Sequence, residues 1–148
     1  MPSSKNLLSA EEKDKIVLAI REAEEKTSGE IRVFFENYCR KNVLDRSIEI
    51  FQKMQMEKTE NRTGVLIYVA CKDQVFAILG DKGIHEKVPE NFWDETKEIM
   101  QGHFQNNEFA EGLVKAITMS GEHLKKHFSR GPEDKNELSD EIDFGDDE

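Results

Sequence analysis

Basic surplus, cysteine and long apolar runs are all scarce in this 148-residue chain. Lysine and arginine number 21 against 31 aspartates and glutamates, a net charge of -10. With no excess of cations to neutralise phosphates, nucleic acid is excluded as a partner. The longest uninterrupted apolar run, Val65 to Cys71, is far shorter than the roughly 20 residues that span a bilayer as a helix. The start, Met1-Pro2-Ser3-Ser4-Lys5, carries no signal-peptide apolar core. Cys39 and Cys71 are too few for a disulfide framework, so reduced thiols in a cytoplasmic protein, with no membrane association, are expected. What is present is 36% hydrophobic residues at a mean hydropathy of -0.71, enough for one core if clustered, in a length that fits one domain.

The charge is uneven. Residues 133–148 hold nine acids against one base, Lys135, leaving residues 1–132 with 22 acids, 20 bases and a net of -2. The sequence therefore divides into a near-neutral body, 1–132, and an acidic tail, 133–148, expected to be solvated. Leu138, Ile142 and Phe144, spaced among the acids, offer the alternative that the tail docks. The stretch Asp140 to Asp146 lacks the ligand spacing of an EF-hand loop.

Hydrophobic periodicity gives an order of α-β-α-β-β-α-α. Ser9-Ala10-Glu11-Glu12 is a capping box that starts a helix running to about Lys26, with Ile16, Ile20 and Ala23 on one face. Glu30 to Asn37 alternates as a strand does, with Ile31, Val33 and Phe35 on one side. A helix over about Val43–Gln55 is expected to turn Leu44, Ile48 and Phe51 inward, and Thr63–Ala70 reads as a strand buried on both faces. Cys71-Lys72-Asp73 forms a hairpin into a third strand, Gln74–Leu79. Pro89 suits the first turn of a helix carrying Phe92, Trp93, Thr96, Ile99, Met100 and Phe104. A last helix covers about Phe109–Phe128. The strand–helix–strand unit predicts parallel pairing, and the hairpin makes the sheet mixed, with helices on both faces.

Catalytic signatures are absent: there is no G-x-S-x-G, H-E-x-x-H or phosphate-binding glycine loop. Of the histidines 85, 103, 123 and 127, only His123 and His127 stand at i,i+4, and they fall in the last turns of a helix, where cations complement the dipole. Cys39, before Arg40 and Lys41, has no identifiable catalytic partner and reads as a packed thiol. One constellation stands out. Asp81, Glu86, Glu90 and Asp94 gather on the loop after the third strand and the helix start beyond it, with Gly80 and Gly83 to turn carbonyls inward. Carboxylates and carbonyls are the ligands of Ca²⁺ and Mg²⁺. Glu36, ending the first strand, and Asp45, opening the second helix, would add ligands if the strands bring them to the same edge. Acids also simply decorate helix starts, which competes with the metal reading. Order gained on binding predicts affinity of ~10⁻⁷–10⁻⁵ M, weakened by Glu86→Gln or Glu90→Gln and not by Glu111→Gln on the last helix.

Several strings resemble the TPM domain family, also called TPM phosphatase. Arg62-Thr63-Gly64-Val65-Leu66-Ile67-Tyr68-Val69-Ala70 is similar to its second-strand signature, and Gly80 to Glu90 to its G-x-G-[LI]-E…[LV]-[PT]-[DE] loop. Thr27 to Val33 matches the entry to the first strand, and Phe104 with Phe109-Ala110-Glu111-Gly112-Leu113 the F…F-x-x-G-L of the last helices. The resemblance covers about Leu7–Phe128. It implies an αβα sandwich on a mixed, four-stranded sheet, one strand more than periodicity reveals. It also implies a divalent-metal site, usually calcium, with Glu86 and Glu90 at the family's acidic positions. The family's V-x-D-x-A-G opening is replaced by Ser4-Lys5-Asn6-Leu7-Leu8, without its aspartate, and a stand-alone domain is expected where many members carry an anchor. Two functions follow: a calcium- or magnesium-binding module with a regulatory or interaction role, or a metal-dependent phosphohydrolase acting on phosphate esters or nucleotides. The second needs a phosphate-holding cation, for which Lys82 and Lys87 are the local candidates. Without a recognisable nucleophile, the first is preferred.

Overall fold

The computed structural model describes residues 8–27, 29–58, 62–128 and 142–145. Helix α1, Ala10–Lys26, begins as its capping box dictates: the Ser9 hydroxyl accepts the Glu12 N–H at 3.1 Å, and the Glu12 carboxylate accepts the Ser9 N–H at 2.9 Å. Ile16, Ile20 and Ala23 are buried as their spacing requires. Strand β1, Glu30–Glu36, follows, then helix α2, Val43–Lys53, and a 3-10 turn at Met56–Lys58. Asn42 caps α2, its side-chain oxygen accepting the N–H groups of Leu44 and Asp45 at 2.9 and 3.3 Å. Strands β2, Gly64–Ala70, and β3, Val75–Gly80, form a hairpin, closed at Gln74 by a left-handed backbone with φ 57°. A short helix α3, Lys82–His85, leads to α4, Asp94–Gln105, and α5, Phe109–Lys125; strand β4 is Ile142–Phe144.

The strand order is β3-β2-β1-β4, with β1 parallel to both β2 and β4, and β2 antiparallel to β3. Pleating divides the sheet's side chains between two cores. Ile31, Val33, Phe35, Val65, Ile67 and Val69 meet α1, α4 and α5 on one face. Phe34, Leu66, Tyr68 and Ala70 meet Ile50, Phe51 and Met56 on the other. Every residue of β2 is buried, so the expected central strand covered on both sides is present, and the fold is the expected αβα sandwich on a mixed four-stranded sheet. Among the described residues no helix is long and apolar enough to cross a membrane.

Four local expectations change. On α2 the buried face is Ser47, Ile50 and Phe51, while Leu44 and Ile48 are exposed: the helix rolls to present its single large pair, Ile50 and Phe51, to Leu66 and Tyr68. Pro89 does not open α4. Residues 90–93 are turns, with Phe92 N–H bonded to the Pro89 carbonyl at 3.1 Å and Asp94 N–H to that of Asn91 at 3.1 Å, and the helix starts at Asp94. Before it, Asp81 nucleates the unforeseen α3, its side chain accepting the Lys82 N–H and its carbonyl those of Ile84 and His85. The fourth strand comes from the acidic segment expected to be solvated: Ile142, Asp143 and Phe144 pair with Val33, Phe34 and Phe35. Leu138, also named as a docking residue, lies outside the described residues, as do 129–137, 139–141 and 146–148.

Candidate functional site

The six acids expected to share a metal site are divided between the two ends of the sheet. Glu36 closes β1 opposite Ala70, the last residue of β2. Asp81 follows Gly80, which lies opposite Val65, and its N–H bonds the Gly64 carbonyl at 2.9 Å. Because β3 turns back along β2, Asp81 sits at the start of β2 while Glu36 sits at its end, roughly 20 Å away at ~3.3 Å per residue. β1 and β2 are adjacent, as the strand–helix–strand unit requires; the hairpin's reversal is what separates the acids.

At the Glu36 end the carboxylate is buried and fully engaged. Arg46, one turn into α2, donates to it in a bidentate pair, Nε to Oε2 at 2.9 Å and Nη2 to Oε1 at 2.8 Å. The buried Tyr68 hydroxyl donates to the same Oε2. Arg46's own hydrogen bonds to Glu36, ahead of that to Glu49, hold its guanidinium above its already high value. Burial, and then the Glu36 carboxylate, push the Tyr68 phenol well above its usual range, so it remains a donor. Asp45 is exposed in the first turn of α2. Cys39, half-buried, gives its N–H to Asp73 at 2.7 Å and its thiol to the Lys41 carbonyl at 3.1 Å, as a packed thiol does.

At the other end Asp81 is also buried and also paired. Arg62 Nε and Nη2 reach its two oxygens at 2.7 and 2.8 Å, and the pair raises the arginine. Glu86, Glu90 and Asp94 are exposed. Glu86 lies 4.0 Å from Lys82, and Glu90 lines a cavity of about 140 Å³ with Ile84, His85, Val88 and Trp93. Lys87 packs its ammonium over the Phe128 ring, 5.4 Å from the centroid. His123 and His127 both set their rings against Phe92, with centroids 5.7 Å apart in each case.

Convergence appears where spacing did not point. Among the described residues, three ligand atoms within 4.8 Å of one another are offered by His103, Glu108 and Glu111. His103 Nδ1 lies 3.0 Å from a Glu108 oxygen and 4.0 Å from a Glu111 oxygen. The α4–α5 turn makes this possible: Asn107 adopts φ 60°, and the Glu108 N–H returns to the His103 carbonyl at 2.9 Å. Gly112 completes the approach, since a Cβ there would meet Phe104 Cε1 at 2.8 Å and His103 Cβ at 3.0 Å. Phe104 also packs on Phe76 and Phe109, and Phe109 on Phe35. The trio thus stands at the end where the parallel strands β1 and β2 run out, where open α/β sheets place their ligands. The F-x-x-G-L string contained Glu111 and Gly112, yet only the turn reveals that His103 folds back onto them.

The family model of the TPM domain matches residues 3–123. Among solved structures, BA42 protein from the psychrophilic bacterium Bizionia argentinensis is 44% identical, with a TM-score of 0.89, covering 93% of this chain and 95% of that one. Two more distant likenesses show the fold alone. The N-terminal domain of a P. gingivalis protein has a TM-score of 0.70 at 15% identity, covering 85% of this chain and 83% of that chain. The N-terminal domain of cg2496 protein from Corynebacterium glutamicum has 0.64 at 12%, covering 84% and 78%. No curated protein matches the sequence. With a family match over most of its length and a near relative of the same extent, the chain belongs to the TPM domain family.

Proposed function

We propose that this TPM domain is a divalent-cation-binding module with a regulatory or interaction role, and that the cation is held at the α4–α5 turn. The observation that supports this reading is the convergence of His103, Glu108 and Glu111. Carboxylates supply the charge, and imidazole nitrogen turns the preference toward metals that accept mixed nitrogen and oxygen donors, such as Zn²⁺ or Mn²⁺, as well as leaving Ca²⁺ and Mg²⁺ to the two acids. The loop set fits a cation less well: both Asp81 oxygens are occupied by Arg62, and no three of Asp81, Glu86, Glu90 and Asp94 converge to the same degree. A bound cation would relieve the Glu108–Glu111 repulsion and tie the end of α4 to the start of α5, stiffening one end of the sandwich.

The phosphohydrolase reading asks for a cation and a phosphate-holding base together. Lys82 and Lys87 follow Asp81, at the sheet end opposite the trio, and Lys87 rests on Phe128. That separation favours binding over catalysis. Calorimetric titration with Ca²⁺, Mg²⁺ and Zn²⁺ tests the proposal. Glu111→Gln and His103→Ala should each weaken binding about tenfold or more, while Glu86→Gln and Glu90→Gln leave it unchanged. The reverse pattern moves the site to the 81–94 loop. Chelator-sensitive hydrolysis of phosphate esters or nucleotides, lost with the same variants that lose the metal, makes the protein an enzyme instead.

A further inference from the structure

The outer edge of β1 holds Ile142–Gly145 by contacts that discriminate at each position. Ile142 and Phe144 turn toward the larger core, where Phe144 meets Phe35 edge-on with centroids 6.4 Å apart and carries the Lys13 ammonium 5.1 Å over its ring. Asp143 faces the other way and receives the largely buried Arg32 through both Nε, at 3.1 Å, and Nη2. Gly145 gives its N–H to the Phe35 carbonyl at 3.1 Å. A Cβ on that glycine would stand 2.6 Å from Glu36 Cβ and 2.8 Å from Glu36 Oε1. Glu36 cannot yield, since Arg46 and Tyr68 fix its carboxylate. Aliphatic, aspartate, aromatic and glycine are therefore each read by a separate feature of the body.

We infer that the β1 edge is a strand-addition site for an acidic peptide segment of a partner protein with the pattern aliphatic–Asp–Phe–Gly, and that the chain's own 142–145 is its intramolecular competitor. Main-chain pairing along an open edge provides affinity and the side-chain slots provide the selection. Charge complementarity names the ligand: Arg32 and Lys13 flank the slot, and the native occupant lies in a stretch with nine acids and one base. A three-residue strand makes few main-chain bonds, so occupancy in cis rests on tethering, which supplies an effective concentration of roughly millimolar order. A partner segment must exceed that value to enter, which sets a threshold on its abundance or on its fit. This site stands apart from the proposed cation site and is tested with chelator present, so either idea can fail alone.

The probe is a fluorescent peptide of residues 138–148, followed by anisotropy against full-length protein. Wild type, with its slot filled in cis, should bind it weakly. A full-length Asp143→Lys, Phe144→Ala variant, altered in the tail and not in the slot, should bind it at least tenfold tighter. The peptide carrying Asp143→Lys should lose that binding, and full-length Arg32→Glu should prefer the Asp143→Lys peptide to the native one by a similar factor. This reciprocal exchange keeps the test informative should the first variant fold poorly. Equal binding of the native peptide by wild type and the tail variant overturns the inference, as does an absent charge-swap preference. A wild-type dimer in light scattering overturns it in favour of strand exchange between copies.

Discussion

The two ends of the sheet each bury one carboxylate against one arginine, and the two pairs are built differently. At Glu36 the arginine is itself mostly covered, its side chain 22% exposed, and a buried tyrosine completes the set. At Asp81 the arginine is 46% exposed, and the carboxylate spends part of its capacity capping α3. The first arrangement is a closed knot joining β1, α2 and β2; the second is a clasp at the start of α3 that water reaches. The two carboxylates are about equally covered, so the arginines set the difference: a charge pair withdrawn from water on both sides is costlier to orphan than one whose cation water reaches. Composition cannot distinguish these two acids, yet their energetic roles diverge.

Ile67→Ala sets the scale, because β2 runs between both ends and Ile67 is fully buried. It should cost about 4 kcal/mol, cavity included, in chemical denaturation. Glu36→Gln should cost about 3 kcal/mol, since it leaves the mostly covered Arg46 with only the more exposed Glu49 as counter-charge. A loss under 1 kcal/mol would show the knot to be as open as the clasp. Tyr68→Phe should follow, at about 1.5 kcal/mol near neutral pH, for one hydrogen bond to a charged acceptor. It carries a pH signature as well. The folded state holds the Tyr68 phenol above its unfolded value of about 10, so the unfolded chain releases the proton first. Stability from this group is complete below pH ~10 and declines as pH rises beyond it. Tyr68→Phe should flatten that alkaline limb, measured by stability against pH. Asp81→Ala should be smallest, about 1 kcal/mol for the lost cap, and its effect should leave the alkaline limb unaltered.

Much of this architecture is legible in the residues because local and global signals agree. Ser9 and Glu12 cap α1, alternation marks β1, and the unbroken run from Val65 marks a doubly covered strand. What stayed hidden depends on distant partners. Ile142–Phe144 is too short and too acidic to read as a strand until β1 offers an edge with Arg32 beside it. Leu44 and Ile48 share a helical stripe with Phe51, but only the shape of the opposing Leu66–Tyr68 surface decides that Ile50 goes inward instead. The grouping of Glu36 with Asp81 required strand direction, which a hairpin reverses. His103 came to Glu108 and Glu111 through a left-handed asparagine, a conformation that no spacing rule encodes.

The position of β4 also has a biosynthetic meaning. Its partner β1 is complete by Glu36, whereas Ile142 is added roughly a hundred residues later. At ~5–20 residues per second, the nascent chain carries β1 for several seconds before its own closing strand exists. During that interval β2 arrives to cover one side, while the other side presents free backbone donors and acceptors to any neighbouring chain on the same message. The residues at that margin, Arg32 and Glu36, are charged, a composition that discourages adhesion between ribosome-bound copies until β4 emerges and pairs with β1.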